Sequence, residues 1–227
     1  MKNIVLFGGG PHVHYCIDTI EKEAKYKIIG ITDPYKEVDK EVGTDLYEYK
    51  VIGCQEDLLR LIGECDIYGG LITIGDNWIR KHVFDVIQSI KRDFVIVNTI
   101  HPAALIGRDV ELGFGNVIMA GAIINPGGKI GNFCFVVTGA HFEHDNIMHD
   151  FSSISAGSIT GGKVEIGKFS AITLEVTVVD RLKIGENSVV GAGSLVLGDV
   201  PDNVLMYGSP AKVIRSRKPS ERFLKSG

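Results

Sequence analysis

Stepping by six from Ile106 through Leu112, Ile118 and onward to Val196 visits sixteen residues, of which fifteen are apolar and only Thr160 is not. Four residues after each lies a second column, from Val110 to Val200, in which thirteen of sixteen are Val, Ala, Gly, Cys or Ser. A helical period of 3.6 or a simple strand alternation would slip out of register over about 95 residues, so neither produces both columns. A period of six without interruption dictates a repeat architecture for this half of the chain.

The first hundred residues read differently. Apolar segments at Asn3 to Leu6, Lys27 to Thr32, Tyr68 to Ile74 and Phe94 to Val97 alternate with amphipathic stretches at His12 to Lys25, Gln55 to Gly63 and Asn77 to Lys91. That alternation predicts βα units around a small parallel sheet, hence an α/β N-terminal domain. The change of texture falls near Asn98 to Pro102. We therefore expect a Rossmann-like domain at 1–98, a repeat domain at 99–215 and a tail at 216–227.

Composition narrows the classes further. With 44% hydrophobic and 23% charged residues the chain has enough apolar material for a sizeable core. A formal net charge of -4 argues against a nucleic-acid surface or a polybasic membrane contact, and the basic stretch Lys212 to Lys225 reads as a solvated end. No apolar run approaches the length of a membrane span, and the opening MKNIVLFGGG reaches glycine too early for a signal peptide, so a cytoplasmic protein is expected. Cys16, Cys54, Cys65 and Cys134 have no CxxC spacing, which suggests reduced thiols rather than a zinc knuckle or a disulfide framework.

Between the first strand and the first helix stands Gly8-Gly9-Gly10-Pro11-His12. Glycines there let backbone N–H groups approach a phosphate at the positive end of the helix, and Asp33 at the end of the next strand can bond a ribose or base. The spacing is not a dinucleotide fingerprint, because the third glycine would fall on Val13, and the same glycines also suit a plain tight turn.

Four motifs in order carry a resemblance: Gly8 to His12; Ile74-Gly75-Asp76-Asn77 with Arg80; Val137 to Ala140 followed by His144-Asp145; and Gly208-Ser209-Pro210-Ala211. Together with the hexapeptide period, the chain resembles the bacterial nucleotide-sugar N-acetyltransferases of the bacillosamine and perosamine type, within the hexapeptide-repeat acyltransferases, with the sialic acid O-acetyltransferases as relatives. The resemblance implies a left-handed parallel β-helix, with the apolar column filling a triangular prism and the small column fitting its corners. It implies acetyl-CoA as co-substrate, a nucleotide-linked amino sugar as acceptor, no metal, and a homotrimer with active sites between prisms. The sugar nucleotide is expected between the small domain and the β-helix.

By the same resemblance His144 is the general base that deprotonates the sugar amine and Asp145 the carboxylate that orients it. A neutral imidazole accepts a proton near pH 7, and a carboxylate on its other nitrogen stabilises the resulting cation. Expected nucleotide-sugar contacts are Gly8, Gly9, Gly10, His12, Asp33, Asp76 and Asn77. Expected acetyl-CoA contacts are Ser153, Gly161, Gly162, Pro210, Ala211 and Lys212, with an amide near Gly161 and Gly162 as an oxyanion donor, although these glycines equally suit a corner. The chain departs from the family pattern at Ser153, where relatives commonly have histidine, at Thr173, with Glu175 nearby, and at His149, which reads as a partial substitute or a surface residue. His141 and Glu143 are candidate supporting groups.

Other readings stay open at this point. An O-acetyltransferase would use the same base on a hydroxyl, and a non-catalytic nucleotide-sugar-binding scaffold would use only the first domain. A zinc enzyme of the hexapeptide class would pair His144 with His149, but the third ligand position holds Arg108, and a guanidinium does not bind zinc.

Overall fold

A computed structural model gives the structure of residues 1–39, 41 and 48–224. It divides into two compact units, residues 1–75 with 79–100 and residues 76–78 with 101–227. In the first, β1 (Lys2–Phe7), β2 (Tyr26–Thr32), β3 (Val51–Gly53) and β4 (Gly69–Ile72) form a parallel sheet in the order β3-β2-β1-β4. Ile4 to Phe7 are fully buried, as expected for a parallel strand covered on both faces.

Helix α1 (His12–Glu23) connects β1 to β2, α2 (Leu58–Cys65) lies between β3 and β4, and α3 (Asn77–Ile90) follows β4. Val13, Cys16, Ile17 and Ile20 put one stripe of α1 into the core at helical spacing. The helix stops at Ala24, a left-handed residue with φ 55° whose N–H returns to the Ile20 carbonyl. Burial pushes the Cys16 thiol up to about 12, so it packs as an apolar group.

Two expectations change here. Val51–Gly53 is a strand too short to stand out in the sequence, and Phe94 to Val97 forms a single parallel bridge, Gly70 to Ile96, rather than a full strand. A Cβ on Gly69 would lie 2.6 Å from the Val95 carbonyl oxygen, so that segment approaches the sheet only where glycine admits it.

The second unit is a three-sided parallel β-helix. Strand pairs step by eighteen residues: Val117–Ile118, Phe135–Val136, Ser153–Ile154, Ala171–Ile172 and Val189–Val190 stack on one face, and the other two faces repeat the step. The apolar column points inward, with Ile118, Ile124, Phe142, Ile154, Ile166 and Ile172 fully buried. Polar exceptions in the columns satisfy one another. Asn146 Nδ2 donates to Thr160 Oγ1 at 2.7 Å and Asn146 Oδ1 accepts the Val164 N–H at 2.6 Å, while Asn116 does the same work for Cys134 and Gly131.

Phe133, Phe151 and Phe169 sit one per coil at left-handed corners (φ 56°, 57° and 60°) and stack nearly parallel. Asp76 to Trp78 packs with this unit: the Asn77 amide donates to the carbonyls of Phe169 and Ser170. At the C-terminal end Val204–Tyr207 pairs antiparallel with Lys212–Ser216. The basic stretch after Lys212 is not merely solvated. Arg217 is buried, with Nε donating to the Asn187 carbonyl, and Arg215 pairs with Glu221 at 2.7 Å; Lys225 lies outside the described residues.

Candidate active site

The turn between the strands His141–Phe142 and Ile147–Met148 carries His144 and Asp145. Asn146 anchors it in the core, Asp145 adopts φ 58°, and the Asp145 N–H donates to the Pro126 carbonyl at 3.1 Å. Aspartate tolerates this left-handed geometry better than most residues. Both side chains are thereby turned outward, 57% and 55% exposed, with His144 Nδ1 3.0 Å from Asp145 Oδ2. A carboxylate only accepts, so this contact selects the tautomer with Nδ1–H and leaves the Nε2 lone pair for an incoming proton. His144 and Asp145, the two residues the sequence offers as base and carboxylate, are thus in hydrogen-bond contact.

The neighbouring histidine goes elsewhere. A ring nitrogen of His149 bonds Glu165 Oε1 at 3.0 Å, and this contact holds the Glu165 carboxyl below its ordinary range, with Lys183 at 3.5 Å helping. His149 is thereby tied to Glu165 of the next coil. Among the described residues no group of three or more His, Cys, Asp or Glu side chains has the arrangement of a metal site.

Gly161 and Gly162 need a correction as oxyanion donors. The Gly161 N–H donates to the Val178 carbonyl and the Gly162 N–H to Asp180 Oδ1, both at 2.7 Å, so both amides are already used. Ser153 is 5% exposed, and its hydroxyl has no hydrogen-bond partner among the described residues. Thr173, at a glycine position of the family pattern, is accommodated because its hydroxyl donates to the Val190 carbonyl at 2.7 Å. Pro210 and Ala211 lie where the chain reverses between the last two strands and Lys212 opens the second of them, with the Ala211 N–H bonded to the Leu195 carbonyl.

In the first unit, Gly8, Gly10 and Asp33 line a cleft of about 310 Å³ at the carboxyl ends of the strands, where ligands of open parallel sheets bind. Pro34, Tyr35, Gln55, Ile74 and His82 also line it. Asp33 shapes the loop: its oxygens accept the N–H groups of Gly9 (2.8 Å) and Tyr35 (2.9 Å). The Gly9 amide is therefore spent on Asp33. Tyr35, 95% exposed beside the Asp33-Pro34 turn, was open to prediction from that turn; Gln55 and His82 carry no sequence signal and reach the cleft only through the fold.

The other residues expected to contact the sugar nucleotide, His12, Asp76 and Asn77, lie outside the lining of this cleft. The His12 ring fills the space of the missing Gly75 side chain, and burial, reinforced by the Arg80 charge, lowers its pKa. Arg80 is completely buried and donates to the carbonyls of Ile74 and Gly75 at 2.9 and 3.0 Å. Asp76 accepts the N–H groups of Trp78 and Phe223, both at 3.1 Å, and Asn77 is bound as described above. Asp76 and Asn77 are buried and are not among the residues that line this cleft.

Residues 3–87 match the family model of the PglD N-terminal domain. The structure superposes on GDP-perosamine N-acetyltransferase from Caulobacter crescentus, solved with CoA and GDP-perosamine, with a TM-score of 0.87 and 29% identity over 95% of this chain and 98% of that one. Among curated relatives, serine acetyltransferase 2 of Arabidopsis thaliana is 35% identical over 117 residues, 51% of this chain and 32% of that protein. Galactoside O-acetyltransferase of Escherichia coli K12 is 32% identical over 147 residues, 63% of each chain. The chain spans about a third of the length of the plant serine acetyltransferases it matches.

Proposed function

From the chain's place among the hexapeptide-repeat nucleotide-sugar N-acetyltransferases, a left-handed β-helix family, we propose that it transfers an acetyl group from acetyl-CoA to the amine of a nucleotide-linked deoxysugar. The observation that carries this reading is the His144–Asp145 pair on an exposed corner of the β-helix. In the first unit the cleft bounded by Gly8, Gly10 and Asp33 receives the nucleotide. In the second, Nε2 of His144 takes the proton released as the amine nitrogen bonds to the acetyl carbonyl carbon. Asp145 holds Nδ1–H and stabilises the imidazolium, and the proton returns to the departing CoA sulfur. Pro210, Ala211 and Lys212 contact CoA in this reading.

The assembly we propose is a homotrimer, which would cover Leu105 and Ile159, apolar residues exposed on the outside of one face. We place the reaction in the cytoplasm, where acetyl-CoA and nucleotide sugars are available. No helix among the described residues is long and apolar enough to cross a membrane. A hydroxyl acceptor is the second reading, favoured by the similarity to galactoside O-acetyltransferase.

Release of CoA thiol, followed with UDP-, GDP- and dTDP-linked 4-amino sugars and their 4-hydroxy counterparts, tests the proposal. Release with an amino sugar alone supports it. Release with the hydroxy counterpart alone replaces it with O-acetylation.

A further inference from the structure

A glycine inside a turn is ordinarily explained by its backbone, and Gly162 is not. The corner residue with positive φ is Lys163 at 59°, in line with Gly127 (75°), Asp145 (58°) and Arg181 (60°), one per coil. Gly162 lies outside the left-handed region, so an alanine would fit its backbone. What excludes a side chain is the catalytic imidazole of the preceding coil. A Cβ on Gly162 would fall 2.4 Å from Nε2, 2.7 Å from Cε1 and 2.9 Å from Cδ2 of His144. The ring stands over the peptide of Gly162.

That peptide is itself fixed. Its N–H donates to Asp180 Oδ1 at 2.7 Å, its carbonyl accepts the Arg181 N–H at 2.9 Å, and the next amide, of Lys163, donates to the His144 carbonyl at 3.0 Å. The same latch, an amide following a glycine and held by a side-chain oxygen from the next coil, recurs at Phe114 with Asn132, Asn132 with Asp150 and Glu186 with Asp202. At those three places the latched residue carries a side chain. At Gly162 it carries none and the imidazole occupies the space. On the other side, Gly127 leaves room for the Asp145 carboxylate, since a Cβ there would lie 2.6 Å from Oδ1.

The geometry points to Gly162 and Asp180 as positioning residues: a bare peptide, pinned from below by Asp180, on which the His144 ring rests at the angle that keeps Nδ1 on Asp145. This rests on the acetyl-transfer reading for its kinetic consequence and on the ring's geometry alone for its structural one. A methyl at 162 must tilt the imidazole, because the ring is free to swing toward solvent while the pinned peptide is not.

The test compares Gly162→Ala, Asp180→Ala and Asp180→Asn with Asp202→Ala, which breaks the equivalent latch far from the base. Thermal unfolding, acetyl-transfer kinetics and the NMR signals of the His144 ring are read on each full-length variant. Gly162→Ala is expected to fold normally and to lose kcat by about 100-fold, the cost of misplacing a reacting group by about 1 Å, with the acetyl-CoA KM within about two-fold. Asp180→Ala is expected to lose about ten-fold in kcat and Asp180→Asn, whose Oδ1 still accepts, to recover most of it. Asp202→Ala is expected to lower the unfolding temperature and leave kcat intact.

Wild-type kcat in Gly162→Ala overturns the proposal, as does equal damage from Asp180→Ala and Asp202→Ala. If the wild type transfers no acetyl group to any acceptor, the functional reading falls. The ring signals then decide positioning separately: a His144 Nδ1–H signal unchanged in Gly162→Ala refutes it, and a shifted one upholds it.

Discussion

The indole of Trp78 lies flat on the phenyl ring of Phe169, 3.8 Å between centroids and 5° from parallel, and its Nε1–H donates to Asn187 Oδ1 at 2.9 Å. Trp78 thereby continues the column of Phe133, Phe151 and Phe169 that climbs one corner of the β-helix. Trp78→Phe keeps a stack and loses the hydrogen bond, so it should cost about 1 kcal/mol. Trp78→Ala loses both and should cost about 3 kcal/mol. Urea unfolding followed by circular dichroism measures the difference.

Thr160 is the only polar residue in the inward apolar column, and Asn146 is the reason. Thr160→Val preserves shape but leaves the Asn146 amide with a buried unsatisfied donor, at a cost of about 1 to 3 kcal/mol. The same substitution in an Asn146→Ala background should cost less, because the Asn146 amide is no longer there to be orphaned. A double-mutant cycle by denaturant unfolding measures that coupling.

Burial, with the Arg80 charge, lowers the His12 pKa below its ordinary value. A base with a depressed folded pKa contributes stability above its unfolded pKa, about 6.5, and loses it as pH falls through the folded value. Stability should therefore decline as pH drops below about 6.5, and His12→Gln should flatten that decline. Unfolding midpoints between pH 7.5 and 5 in one buffer series read the effect.

Hydrogen bonds from Arg215 and from the Lys218 amide hold the Glu221 carboxyl at about 2. Stability from this contact is present above the ordinary carboxylate range and is lost as pH falls toward about 2. Glu221→Gln should release the segment after Arg217 at neutral pH, seen as faster amide exchange at Lys218, and should remove that segment's acid sensitivity.

Much of this was legible in the residues. The step of six marks the β-helix because each inward residue must be apolar or partnered, whereas His144-Asp145 was singled out by the family resemblance, and their contact is local because the two are adjacent in one turn. Phe133, Phe151 and Phe169 also stand eighteen apart in the sequence, a signal that only becomes meaningful once the coil length is known. What was not legible depends on distant partners. Nothing near Asp76 or Asn77 reveals that Phe223 and Phe169 occupy them, and nothing near Gly162 reveals that Asp180 uses its amide. Likewise, Gln55 and His82 enter the cleft through a sheet order that local pattern does not encode.

The most direct test is the rate of acetyl transfer to an amino-sugar nucleotide by wild type and His144→Ala across pH 6 to 9. The account predicts a loss of about 100- to 10,000-fold in kcat, with folding and acetyl-CoA binding intact. Equal rates in the two proteins would contradict it and remove His144 from the chemistry.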